Sequence, residues 1–313
     1  MLARSITVAI VLIIVLMPVL LKGFGAPEPR VPGKKWDVSP DIKNTHVIFL
    51  SGLSTHCDGT PYNQMGFKYI RRQFSRVGLA CNDRRFLKYS YKGGMIKKGR
   101  WHPNPYKPED TGQPIQFSVL YLREMIEELS RHHPQARFLL VGHSLGGRIA
   151  FDYVTKYHLN EPGPIKGVVT LNSPLTGSPY CRTDILASIR PIWGSIAVQQ
   201  LAAEYQLKDK LGIAKTRENT ARKLHAKGIH LATFGTEHDF IVNPLTACLV
   251  DKHGHPLTEG DILPLNLLSS TLNGHVQILN QERVADYIIS VYACTGQDEV
   301  TCTCRPPPVH KSL

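Results

Sequence analysis

Between residues 45 and 295 the chain alternates short apolar runs with longer stretches of mixed polarity. HVIFL (His46–Leu50), RFLLV (Arg137–Val141), GVVTL (Gly167–Leu171) and IHLATFG (Ile229–Gly235) are continuous apolar runs bounded by turn residues. Such runs predict strands covered on both faces. RRFLKYSY (Arg84–Tyr91) is a further strand candidate. Helices are predicted around residues 66–77, over QFSVLYLREMIEELSRH, after Ser144, and over QERVADYIISVY. In the second of these, Phe117, Leu120, Met125 and Leu129 mark the predicted inner face. Residues 93–114 look irregular. Strands alternating with helices predict an α/β fold with a mostly parallel central sheet and helices on both faces.

Outside this domain the pattern changes. Ile6–Leu21 is a run of 16 residues without a charge. It falls between a signal-peptide core of about 7–15 residues and a spanning helix of about 18 or more. Residues 1–25 therefore read as a membrane anchor or as a cleaved signal, and residues 26–44 as a Pro- and Gly-rich linker. The basic residues after Leu21 favour a cytoplasmic domain if the segment is retained, and a cleaved signal implies secretion. Residues 296–313 read as a flexible tail. Seven cysteines, an odd number, make no clean disulfide framework.

The net charge of +12 is concentrated. Eleven Lys or Arg lie between Lys68 and Arg100, opposed only by Asp83. A solvated face explains such a run, and so does a surface that meets anionic headgroups. No nucleic-acid-binding motif accompanies it, so nucleic acid is not an expected partner.

The chemistry is carried by GHSLGG, residues 142–147. A predicted buried strand precedes it and a predicted helix follows, the setting of a nucleophile elbow at Ser144. Side chains at 142 and 146 would collide in so sharp a turn, and both are glycine. Serine needs a general base, and the base needs an orienting acid. Asp239, in GTEHDFIVNP, lies just past the Ile229–Gly235 strand, where catalytic groups gather in open α/β sheets. Glu237 and Asp251 are its rivals. His275, in LNGHVQIL, is the candidate base, with His253 and His255 as rivals. Two backbone N–H groups are needed for an oxyanion. Leu145 supplies one, and the loop FLSGLST the other, from Leu53 or Ser54.

Taken together, VIFLSGLST, LLVGHSLGGRIAFDYV, VVTLNSPLTG, GTEHDFIVNP and NGHVQIL resemble the α/β-hydrolase superfamily, especially its lipase- and esterase-like members. The resemblance runs over residues 45–292, and Ser51 departs from the histidine many relatives carry there. It implies a Ser144–His275–Asp239 hydrolase of carboxylic esters, lipid-like or apolar, needing neither metal nor organic cofactor. An acyltransferase with the same triad, and a non-catalytic membrane-anchored binding protein on a hydrolase scaffold, are the alternatives. Residues 178–227 read as a helical cap, with Ile185, Ile189, Trp193 and Ile196 as its apolar side. Oligomeric state has no signal in the sequence.

Overall fold

The computed structural model describes residues 40–161, 163–179, 191–249, 258–264 and 274–293. Six strands form one sheet in the order β2-β1-β5-β6-β7-β8. They are β1 (Thr45–Leu50), β2 (Phe86–Lys88), β5 (Arg137–His143), β6 (Ile165–Leu171), β7 (His230–Thr236) and β8 (Glu259–Leu263). Every neighbouring pair is parallel. The α/β class with helices on both faces is what the apolar runs predicted.

The reason is visible in the side-chain alternation. Val47, Phe49, Leu139 and Val141 join one apolar cluster, with α1 (Lys68–Gln73) and the C-terminal helix α6 (Glu282–Ala293). Ile48, Leu50, Phe138 and Leu140 join the other, with α2 (Ile115–His132) and α3 (Leu145–Tyr157). A strand with both faces covered favours apolar residues at successive positions, so period two disappears from its sequence.

Three elements depart from expectation. The inner face of α2 consists of Ile115, Val119, Leu122, Met125, Ile126 and Leu129, while Phe117 and Leu120 are exposed. Met125 and Leu129 lie on the predicted inner face; the other two lie on the opposite side. Residues 93–114 are not all irregular. β3 (Gly94–Lys97) and β4 (Arg100–Pro103) make an antiparallel hairpin closed by Lys98 and Gly99, both with positive φ. Such two-residue turns usually carry Asn-Gly or Asp-Gly, so Lys-Gly hid it. β8 is an edge strand of sequence EGDIL, too polar to read as a strand.

Within the expected cap, α4 (Ile196–Leu207) and α5 (Ile213–Ala226) are described. Ala197, Val198, Leu201 and Ala202 are the buried side of α4, and Ile196 is exposed rather than part of an apolar face. Ile185 and Ile189 lie outside the described residues. A cluster of four charges ties both helices to α3. Arg148 pairs with Asp152 at 2.8 Å and with Glu204, and Arg217 pairs with both acids in turn. The Ile6–Leu21 segment and the tail also lie outside the described residues. Among the described residues no helix is long and apolar enough to cross a membrane. Cys57, Cys81 and Cys248 are free thiols.

Candidate active site

The strand order creates the crevice. After β1 the chain moves outward to β2, whereas after β5 it moves the other way, to β6. Connections that diverge from two adjacent strands leave a gap at their carboxyl ends, the usual binding crevice of an open α/β sheet. Register pairs Leu50 with Gly142, so Gly52 and Ser144 emerge side by side into that gap. A Cβ built on Gly52 would lie 2.6 Å from Ser144 Cβ.

Ser144 sits between β5 and α3 with φ 54° and ψ −128°. A positive φ in a residue with a Cβ costs on the order of 1–3 kcal/mol and needs surroundings that hold it. The glycines provide them. A Cβ on Gly142 would lie 2.4 Å from Gly147 Cα, and one on Gly146 would lie 2.2 Å from the Leu50 carbonyl oxygen. The turn closes tightly because both side chains are missing. The Ser144 N–H donates to the Leu171 carbonyl at 2.9 Å, and the Ser144 carbonyl accepts from Gly147 and Arg148.

β7 lies two strands from β5, roughly 10 Å away, so Asp239 cannot reach Ser144 directly. His275 occupies the space between. Its Nδ1 lies 2.6 Å from Asp239 Oδ2. Asp239 is buried, and its other oxygen, Oδ1, accepts the N–H groups of Ile241 at 2.7 Å and Val242 at 3.0 Å. The carboxylate is thus fixed by two main-chain donors while presenting its second oxygen to the imidazole. Ser144 Oγ makes no hydrogen bond to His275 in this structure; nucleophile–base contacts in unliganded sites are often long. Glu237, the nearer rival, is exposed. Asp251, His253 and His255 lie outside the described residues.

The loop after β1 is held from three sides. Tyr91 donates to the Ser51 carbonyl at 2.8 Å, Thr55 Oγ1 to the Gly52 carbonyl at 2.8 Å, and Ser54 N–H to Thr111 Oγ1 at 2.9 Å. Ser54 is therefore occupied, which leaves Leu53 of the two expected donors. Among the described residues the Leu53 and Leu145 N–H groups have no protein acceptor.

Two residues went unnoticed in the sequence. His143 Nε2 donates to the His275 carbonyl at 2.7 Å, and Asn172 Nδ2 donates to the same oxygen at 3.2 Å. Asn172 also reaches the Gly274 carbonyl and Thr236 Oγ1, each at 3.2 Å. The backbone at Gly274 and His275 is therefore tied to the ends of β5, β6 and β7, the last through Thr236 Oγ1 donating to the Gly274 carbonyl at 3.3 Å. Desolvation first, then the neighbouring His275 ring 4.7 Å away, lower the His143 pKa to about 3. The imidazole stays neutral and keeps its donor role. Both residues stand inside quoted motifs, GHSLGG and VVTLNSPLTG, but at positions where neither spacing nor type announces a partner. Among the described residues no group of three His, Cys, Asp or Glu could hold a metal ion.

A family model described as the alpha/beta hydrolase fold matches residues 85–215, which include Ser144 but neither Asp239 nor His275. An uncharacterized protein of Caenorhabditis elegans is 28% identical over 148 residues, 46% of this chain and 35% of its own length. The match thus spans about a third of that relative. Among solved structures, the lin2722 gene product of Listeria innocua is similar at 13% identity and a TM-score of 0.48, over 82% of this chain and 96% of its own. A lipase-esterase related protein of Clostridium acetobutylicum is similar at 13% identity and a TM-score of 0.45, over 81% and 97%.

Proposed function

We propose that this chain, whose fold is that of the α/β-hydrolases, is a serine hydrolase cleaving carboxylic esters through an acyl-enzyme. The observation that carries this is the 2.6 Å contact of His275 with a buried, doubly anchored Asp239, across the crevice from a serine held at positive φ. Ser144 Oγ attacks the ester carbonyl as His275 Nε2 takes its proton. Asp239 holds the proton of the imidazole on Nδ1 and stabilises the imidazolium. The Leu53 and Leu145 N–H groups receive the oxyanion. Collapse expels the alcohol, which takes the proton from His275. Water, activated by the same histidine, then hydrolyses the acyl-serine.

The substrate side of the reading is an apolar ester. Phe240 and Val276 are exposed although they follow Asp239 and His275 directly in the chain, and Leu245 is exposed nearby. Exposed large apolar side chains beside a reactive crevice suit an acyl chain. The helices α4 and α5 would act as its cap, and Ile6–Leu21 would attach the enzyme to a membrane.

The test is a Ser144→Ala variant assayed on p-nitrophenyl esters of graded chain length, with fluorophosphonate labelling of both proteins. Activity and labelling should both disappear in the variant, and the wild type should prefer chains longer than acetate. Full activity in Ser144→Ala would end the proposal; a peak at acetate would end its apolar part.

A further inference from the structure

At the edge of the sheet opposite Ser144, where β1, β2 and β5 begin, lies a cavity of about 750 Å³. The length of β5 separates the two, roughly 20 Å. Lys43 enters it from the turn before β1, Arg84 and Arg85 from the turn before β2, and Lys98 and Arg100 from the end of the β3–β4 hairpin. His46, His132, His133, Asn44, Gln135, Tyr62 and the buried Lys88 add to the polar lining, and no Asp or Glu belongs to it among the described residues.

The eleven-cation run does not form one face. Arg71 is buried, donating to the Gly66 and Cys81 carbonyls, and Lys88 is buried on the carbonyls of His56 and Gln64. Arg76 pairs with Asp286, and Arg85 with Asp83 at 2.8 Å. Arg84, Lys98 and Arg100, with Lys43, are exposed, make no ion pair among the described residues, and meet at this one cavity, although Asp83, paired with Arg85, also feels the charge of Arg84.

We propose that the cavity is a second, non-catalytic binding site for a phosphate-bearing ligand: a phosphomonoester carried by a small soluble molecule or by a lipid headgroup. Four cations without an ion pair around one space repel each other and are relieved by a multiply charged anion. Guanidinium groups such as Arg84 and Arg100 bind phosphate oxygens in pairs, which a singly charged carboxylate does not repay as fully. The volume is that of small-molecule sites. Trp101 and Leu129 give one apolar wall, and the Trp101 Nε1–H is already donated to the Lys88 carbonyl at 2.9 Å. The carbonyl end of α2 brings a partial negative charge to that side, smaller than one unit and outweighed by the four cations. Burial first, and then the charges of His133, Arg85 and Arg84 among the remaining causes, hold the His46 pKa at about 4, in keeping with the positive field.

The site is tested by calorimetric titration of the full chain with inorganic phosphate and glycerol 3-phosphate. Co-sedimentation with phosphatidylcholine vesicles, with and without phosphatidic acid, is run beside it. Arg84→Glu/Arg100→Glu should weaken binding by at least about thirtyfold, the loss of two charge contacts with the repulsion of two new carboxylates added. Lys215→Glu/Lys223→Glu, the same charge change on exposed positions of α5, should leave it intact. Thermal melts without ligand check that both fold; if the first does not, Arg84→Gln is read instead, with a smaller loss. Response to the soluble probes alone identifies a free phosphomonoester, and response to phosphatidic acid alone identifies a headgroup. Equal binding by the two double variants overturns the proposal. So does the absence of binding to every phosphate probe, and so does binding to a single-stranded oligonucleotide in their place.

Discussion

Replacing Asp239 by Asn tests the proposed mechanism at a single proton. The two side chains have the same shape, so the change is one of hydrogen-bond polarity. Asp239 Oδ1 accepts from Ile241 and Val242, and Oδ2 faces His275 Nδ1. The Asn oxygen must stay with the two amides. Turning the NH₂ toward them would leave buried donors facing donors, at about 1–3 kcal/mol for each lost bond. The NH₂ therefore faces His275, which must accept at Nδ1 and carry its proton on Nε2. In the proposed mechanism that nitrogen is the one that serves the serine, and it can no longer take a proton. The same tautomer error in a serine protease lowers kcat about 10⁴-fold, equivalent to roughly 5 kcal/mol of barrier. The expected result is a loss of that size in kcat for a p-nitrophenyl ester, with cooperative melting preserved. Glu237→Gln, at the exposed neighbour, should leave activity near wild type. If Asp239→Asn keeps more than about a tenth of the activity while folded, Asp239 does not orient the base and the mechanism is wrong.

Other outcomes follow from packing and titration. Gly146→Ala drives a Cβ to 2.2 Å from the Leu50 carbonyl oxygen, and urea denaturation should show a loss of about 1–3 kcal/mol or more. On α2, Leu122→Ala should cost about 2–5 kcal/mol and Phe117→Ser within about 0.5 kcal/mol, because only Leu122 is buried. Equal costs would mean that the helix faces the other way. The folded His143 resists its proton down to about 3, whereas an imidazole ordinarily titrates at 6.5. The unfolded chain therefore binds that proton first, so the contribution of His143 to stability is complete above 6.5 and is lost as pH falls toward 3. His143→Gln should flatten the decline of the melting temperature between those limits; an unchanged slope would refute the assignment.

Much of the fold was legible because burial on two faces leaves a local mark. HVIFL, RFLLV, GVVTL and IHLATFG all lie at strands of the sheet. Where burial is one-sided or absent, the mark fades. β8 is an edge strand with only Leu263 buried, and its EGDIL sequence looks like a loop. In α2 the exposed Phe117 and Leu120 confuse the phase, because apolarity alone does not say which side of a helix meets a neighbour. The pairing of charges is hidden from the sequence for a related reason. Arg76 finds Asp286 from 210 residues away, and no count along the chain can anticipate such a partner.

The elbow needed only its own residues, since the steric demand for glycine at 142 and 146 is met within a few positions of Ser144. The order of Ser144, Asp239 and His275 was likewise visible along the chain. What the chain could not disclose was decided by strand order. Leu171 and Phe234 stand side by side only because β6 pairs with β7. That pairing sets Asn172 under the His275 carbonyl, while β5 supplies His143 to the same atom. The far ends of β1, β2 and β5 gather four cations from three separate turns by the same means. Sequence alone determined the local chemistry of a glycine-flanked serine, because sterics act over a few residues. Tertiary structure decided which distant donors steady His275 and which charges share a cavity, because those contacts join residues that only the folded sheet brings together.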